Sequence, residues 1–233
     1  MKIFQKLWQH RHDVRSLPQT IWFNFRFLPL SQAVHLPILL YKPRLMNCTG
    51  TVEICGGGIR YGMIRLGFPL VSIYPNTGIM IENRGHMIFH GTCQIGNNSA
   101  ISLGKKGELT FGNRFGATTT FKLVCYDGIR FADNVLFGWD CLVMDTDFHA
   151  LTKCTGEKSK GHAPIAIGAN NWFGNGCRVM KRTRTCEKIT VQAGTTLSGP
   201  VDAEPCTVVG FDHKIVEKAH GVWRNPDDDR IVY

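Results

Sequence analysis

From residue 111 onward, apolar or small side chains recur at every sixth position: Phe111, Ala117, Leu123, Ile129, Val135 and Cys141, with a companion series at Phe131, Phe137 and Val143. After an interruption the period resumes at Ile167, Phe173, Val179, Thr185, Val191 and Leu197. A helical face repeats every 3.6 residues and a half-buried strand every second residue, so neither produces sixes. A parallel β-helix does: each hexad supplies one short flat strand and a turn, and three hexads complete a triangular coil. The chain is therefore expected to be all-β, with a core made of stacked inward side chains. Small residues in the series, Cys141 and Cys177 among them, suit wedge-shaped corners where a bulky group would not fit.

At 233 residues one main domain of this kind can bury a sizeable core. The division expected is a basic, partly helical N-terminal segment (1–50), a β-helix domain (51–212) with an external loop (150–164), and a C-terminal cap and tail (213–233). Residues 51 to about 105 keep the apolar-glycine pairs but not a clean register, so early coils should be less regular. Past residue 210 the hexad is lost, and a short helix over about 213 to 220 is expected to close the open end, since solenoids need polar caps. None of the nine cysteines forms a C-x-x-C pair and the amino terminus is too charged for a signal peptide, which predicts reduced thiols and a cytoplasmic protein.

Charge is unevenly placed. Residues 1 to 70 hold 9 Lys+Arg against 2 Asp+Glu, whereas the remainder holds 18 against 16. Such an arm is either an ordinary solvated face or a peripheral contact with an anionic membrane surface; no nucleic-acid motif accompanies it. The stretch "IWFNFRFLPLSQAVHLPILL" (21–40) has the length of a membrane span, but Asn24, Arg26, Pro29, His35 and Pro37 interrupt it. Packed amphipathic structure capping the main domain is the expectation.

Three stretches in order, "VLFGWDCLVMDTDFHAL", "TKCTGEKSKGH" and "APIAIGANNWFGNGCRVMKR", resemble the hexapeptide-repeat acyltransferases, most closely those that O-acetylate capsular or lipopolysaccharide sugars. The resemblance covers roughly residues 50 to 218 and rests on a D-x-D-x-H, a polar loop and a P-x-x-I-G-x-x-x-W-x-G in the family's order. It implies a left-handed parallel β-helix, a homotrimer with active sites between subunits, and an acetyl group carried from acetyl-CoA to a saccharide hydroxyl without a metal. Two departures stand at the donor end. Ser198-Gly199 replaces the family's Thr-Lys, and "GFDHK" (210–214) replaces G-N-P-A-K, keeping only Lys214.

His149 continues the Phe131, Phe137, Val143 series by one more step of six, and is expected at a corner otherwise filled by a core side chain, where the chain leaves the coil. An imidazole there can take the proton of a sugar hydroxyl, which is a poor nucleophile until that proton is removed. Asp147, two residues earlier, is the expected orienter of the imidazole or a contact to the acceptor. Asp145 shares that face as an acceptor contact or closes the coil through turn hydrogen bonds. The resemblance places Trp172 on the pantetheine channel. Gly174 and Gly176 permit close backbone approach, Trp139 can stack on a sugar ring, and Lys181, Arg182 and Arg184 are candidates for CoA phosphates by charge. Lys153, Lys158 and Lys160 either meet a phosphorylated donor or decorate a mobile loop. Two other readings stay open: a metal-dependent hydratase on the same fold, needing three histidines, and an inactive glycan-binding or scaffold solenoid.

Overall fold

Each hexad becomes one short strand, and up to β17 each strand pairs in parallel with the strand three places along the chain. In the computed structural model, which describes residues 11–211, 214–215 and 221–228, this yields three sheets wound around one core. The first face stacks β1 (Ile38–Leu40), β4 (Ile64–Phe68), β7 (Cys93–Gly96), β10 (Phe115–Ala117), β13 (Leu136–Phe137), β16 (Trp172–Phe173), β18 (Ile189–Val191) and β20 (Thr207–Val209). The second stacks β2 (Pro43–Met46), β5 (Ile79–Asn83), β8 (Ser99–Leu103), β11 (Lys122–Cys125), β14 (Leu142–Met144), β17 (Arg178–Met180) and β19 (Thr196–Leu197). The third stacks β3 (Thr51–Ile54), β6 (His86–Phe89), β9 (Glu108–Phe111), β12 (Gly128–Phe131) and β15 (Ile165–Ile167), and single bridges at Arg184 and Pro200 extend it.

The all-β, parallel β-helix expectation holds, with the hexad positions Ala117, Leu123, Ile129, Val135, Phe173, Val179, Val191 and Leu197 all buried. Coil length tightens along the stack. Gly116 pairs with Gln94, 22 residues earlier, and with Leu136, 20 later, while Trp172 pairs with Thr190, 18 later. Only the last value is three clean hexads, which is why the early register is hard to read from sequence.

Equivalent positions stack because each coil repeats the previous one. Phe89, Phe111 and Phe131 share one register on the third face, with ring centroids 5.1 and 5.7 Å apart, and Phe137 lies 4.3 Å from Phe173 on the first. Corners repeat too: Asn134 and Asn170 both take positive φ, a region asparagine tolerates, and their side-chain amides hydrogen-bond at 3.0 Å. Cys141 and Cys177 are buried beneath one another as the sequence suggests, each thiol donating to a backbone carbonyl.

The stack begins earlier than residue 51. Its first coil starts at Ile38, and the helix before it, α1 (Arg11–Phe27), closes the exposed edge of β1. Fully buried Asn24 donates to the Ile38 carbonyl (2.7 Å) and accepts from the Ile38 N–H (3.1 Å), while Thr20 accepts from the Leu40 N–H (3.0 Å). Two polar side chains thus replace the neighbouring strand that an end coil lacks. The stretch 21–40 thus divides between the capping helix and the first strand β1, and no helix of the described residues is long and apolar enough to cross a membrane. The helix expected over 213–220 falls mostly outside the described residues, though Ile215 bridges back to Val209.

Candidate active site

Between β14 and β15 the chain leaves the stack, and register shows where. Phe131 on β12 pairs with Ile167 on β15, 36 residues later instead of 18, so the excursion adds three hexads' worth of chain. Ile167, and not His149, fills the next slot after Phe131, Phe137 and Val143. His149 itself is exposed. The expectation that it sits at a corner of the coil is therefore corrected: the period runs through it numerically, but the chain has already turned outward.

The excursion is a narrow antiparallel hairpin. Thr146 bridges His162 and Thr152 bridges Lys158, the Asp147 N–H donates to the Gly161 carbonyl (2.8 Å), and the Ser159 N–H donates to the Leu151 carbonyl (2.7 Å). Its two strands run so close that a Cβ on Gly161 would lie 2.8 Å from the His149 carbonyl oxygen. Phe148 takes φ of +58°, an unusual conformation for a bulky residue, with its N–H on the Thr146 hydroxyl at 2.9 Å.

Asp147 does not hold the imidazole. Its carboxylate is paired with the Lys181 ammonium, which comes from the turn after β17 in the following coil. Lys181, placed by charge on CoA phosphates, is thus a tether between loop and stack. No side chain among the described residues hydrogen-bonds the His149 ring.

Of the two readings of Asp145, the structure supports the turn-closing one. Its side chain is fully buried and accepts three backbone N–H bonds, from Tyr126 (2.7 Å), Asp127 (2.8 Å) and Gly128 (2.8 Å), leaving no open direction toward an acceptor. Burial raises its carboxyl above the ordinary aspartate value, and the three donors pull back against that rise.

The corner that Asp145 closes carries a pair that sequence reading missed. Asp127 Oδ2 lies 2.9 Å from His162 Nδ1, with Lys160 Nζ at 3.9 Å and the Tyr126 ring 5.7 Å from the imidazole. His162 precedes the second hexad block without belonging to any D-x-D-x-H, so only its proximity to the His149 motif could have drawn attention to it.

The remaining candidates lie elsewhere on the stack. Trp172 points outward from the first face, 40% exposed. Trp139 is half-buried at the corner between first and second faces, its ring edge-on to Tyr74 at 5.9 Å, and its backbone N–H donates to the Asn175 side-chain oxygen (3.2 Å). Gly174 has a packing reason: a Cβ there would sit 2.6 Å from the Ala193 nitrogen of the next coil, so its close approach is between coils. Arg182 and Arg184 are exposed beyond β17, and Lys214 is exposed in a turn closed by its own carbonyl and the Gly210 N–H. No hydrogen bond or ring contact links any of these to His149. Within the loop Lys153 pairs with Glu157 at 2.6 Å. Among the described residues no cluster of three metal-ligating side chains occurs, and His86 is engaged by Glu53 at 3.3 Å.

Four cysteines, Cys93, Cys125, Cys141 and Cys177, are buried in the core, while Cys154 is exposed in the hairpin. Burial pushes the Cys93 and Cys125 thiols up, and the Cys177 thiol is pushed up first by its hydrogen bond with Cys141 and then by burial. A thiol held in that state is a poor nucleophile.

No family model matches the chain, and no curated protein matches it. Among solved structures it is similar to the polySia-specific acetyltransferase NeuO, at 13% identity and a TM-score of 0.44 over 82% of this chain and 85% of that one. It is also similar to a mutant of AntD, an N-acyltransferase from Bacillus cereus, in complex with dTDP and coenzyme A (15%, TM-score 0.39, 77% and 80%). A maltose O-acetyltransferase from Clostridium difficile 630 is similar at 12% identity, with a TM-score of 0.38 over 88% and 85%.

Proposed function

We propose that the protein is an acyltransferase that moves an acetyl group from acetyl-CoA to a hydroxyl of a saccharide in polysaccharide or lipopolysaccharide assembly. The observation that carries this reading is the hairpin between β14 and β15, which sets His149 in solvent beside Asp147 while the hexad core resumes beneath it. A residue kept out of the core on an ordered hairpin is available for chemistry.

In this mechanism His149 takes the proton of the acceptor hydroxyl as its oxygen attacks the thioester carbonyl carbon. The carbon–sulfur bond then breaks, the acetyl ester forms, and the CoA sulfur leaves with the proton that the imidazole returns. Lys181, by pairing with Asp147, holds the hairpin on the stack. Exposed Trp172 offers a flat apolar face to the pantetheine arm, Trp139 one to the acceptor ring, and Arg182, Arg184 and Lys214 offer charge to the donor phosphates. None of these groups makes a hydrogen bond or ring contact with His149 in one protomer, and a homotrimer would let a neighbouring chain bring further groups to it. A second base is favoured by one distance: His162, unlike His149, has a carboxylate at 2.9 Å to fix its orientation.

The same reading puts the protein in the cytoplasm at the inner face of a membrane. On α1, Leu17, Ile21, Trp22 and Phe25 expose an apolar patch next to Arg26, within the basic first 70 residues.

Thiol release from acetyl-CoA, measured with a panel of saccharides, tests the proposal. Saccharide-dependent release with a matching acetyl ester supports it. An absence of release with every saccharide favours the inactive solenoid.

A further inference from the structure

The second face carries a groove that none of the acyl-transfer groups line. Two adjoining hollows, of about 320 and about 250 Å³, share Met80 and Ala100. Register explains them. The outward residues of β8, Ala100 and Ser102, are short, and each lies between longer neighbours across the sheet: Met80 and Lys122 flank Ala100, while Glu82 and Val124 flank Ser102. β5 and β11 are therefore walls and β8 a sunken floor. From Asn98 to Ser102 that floor runs about 13 Å of extended strand.

The two ends differ in chemistry. The smaller hollow, by Asn98, is bordered by Arg44 and Thr77, whereas the larger is walled by Met46, Met80, Val124 and Leu142. The one carboxylate of the groove, Glu82, is already satisfied. Ser102 Oγ donates to one of its oxygens at 2.7 Å, and Arg84 Nε lies 3.2 Å from the other. Arg44 and Lys122 are exposed, and among the described residues neither side chain has a hydrogen bond or ion pair. A copy of the same face packed on this one would offer those two cations no open acid. A separate molecule that is apolar along its length and anionic at one end matches both ends of the groove.

We infer that the groove binds a linear aliphatic carboxylate, with its head group on Arg44 and its chain laid over Ala100 into the trough between Met46, Val124 and Leu142. One guanidinium fork matches the two oxygens of one carboxylate. The larger hollow lies within the range of small-molecule sites and exceeds what a bare ion needs. The stem of Lys122 adds apolar wall while its ammonium stays in water. The inference does not rest on the acyl-transfer reading.

Calorimetric titration of the full chain with butanoate, hexanoate, octanoate and octan-1-ol tests it. Saturable binding is expected, tightening about two- to fourfold for each added methylene as more chain is buried. Arg44→Gln, a change at an exposed position, should weaken octanoate about tenfold or more and leave octan-1-ol unmoved, because only the carboxylate uses the guanidinium. Ala100→Phe fills the floor from its outward side and should abolish saturable binding of both, with urea stability and light scattering as in wild type. Absence of saturable binding, affinity indifferent to chain length, or equal octanoate affinity in Arg44→Gln would overturn the assignment. So would an Ala100→Phe protein that changes its oligomeric state, which would give the groove to a second copy of the chain. If Ala100→Phe fails to fold, the Arg44→Gln contrast between octanoate and octan-1-ol decides alone.

Discussion

Replacing Asp145 should loosen the corner beneath the candidate site more than the site itself. The carboxylate serves three backbone N–H groups of consecutive residues 126–128, at 2.7 to 2.8 Å. In Asp145→Ala those donors lose their partner. Each orphaned donor costs about 1–3 kcal/mol when fully buried. Tyr126 is exposed and its two neighbours half-buried, so water recovers part of that, and loss of a buried charge offsets more. A net destabilisation of about 3 kcal/mol results, and Asp145→Asn, which keeps one acceptor oxygen, should lose about half as much. Urea unfolding at fixed protein concentration reads it, since any association shifts the apparent midpoint. The pH dependence has a definite sign. The folded carboxyl is raised above its unfolded value, so its contribution is full below the ordinary aspartate range and declines as pH rises through the raised value. The stability gap between wild type and Asp145→Asn should therefore be wider in acid and narrow toward neutrality. An Asp145→Ala protein within about 0.5 kcal/mol of wild type would refute the closing role.

Other outcomes follow from the same geometry. Phe137→Ala opens the ring stack against Phe173 and should cost about 3–5 kcal/mol by urea unfolding, while leaving a folded chain. Asp147→Ala and Lys181→Ala should fail to add in a double-mutant cycle on turnover, because each removes the same tether; additive losses would show that they act separately. Trp22→Ser with Phe25→Ser should reduce co-sedimentation with anionic vesicles, and salt should reduce that of the wild type; sedimentation indifferent to both would remove the membrane contact.

The coil was legible because burial enforces it: a hexad position turned inward must be apolar or small in every coil, so Leu123, Phe173 and Val191 declare themselves. The first coil from Ile38 was not, since Ile38 pairs with Ile64, 26 residues on, and Ile64 with Cys93, 29 further, so neither coil keeps the period. The excursion was visible as a loss of apolar marks, but its hairpin pairings were not. Asp145 had two sequence readings because an aspartate beside a turn looks the same whether its carboxylate faces amides or solvent. Pairs such as Asp147 with Lys181, 34 residues apart, and Asp127 with His162, 35 apart, depend on how one coil stacks on the next, which no local spacing encodes.

The most direct measurement compares acetyl transfer from acetyl-CoA to the responding saccharide by wild type, His149→Ala and His162→Ala, alongside acetyl-CoA affinity and urea stability. His149 is exposed and its ring makes no hydrogen bond among the described residues, so His149→Ala should keep wild-type stability and donor affinity. Turnover should fall by about a hundredfold to ten-thousandfold, the contribution of a positioned general base, and His162→Ala should fall far less. Near wild-type transfer by His149→Ala, or the large loss appearing in His162→Ala alone, would contradict His149 as the base.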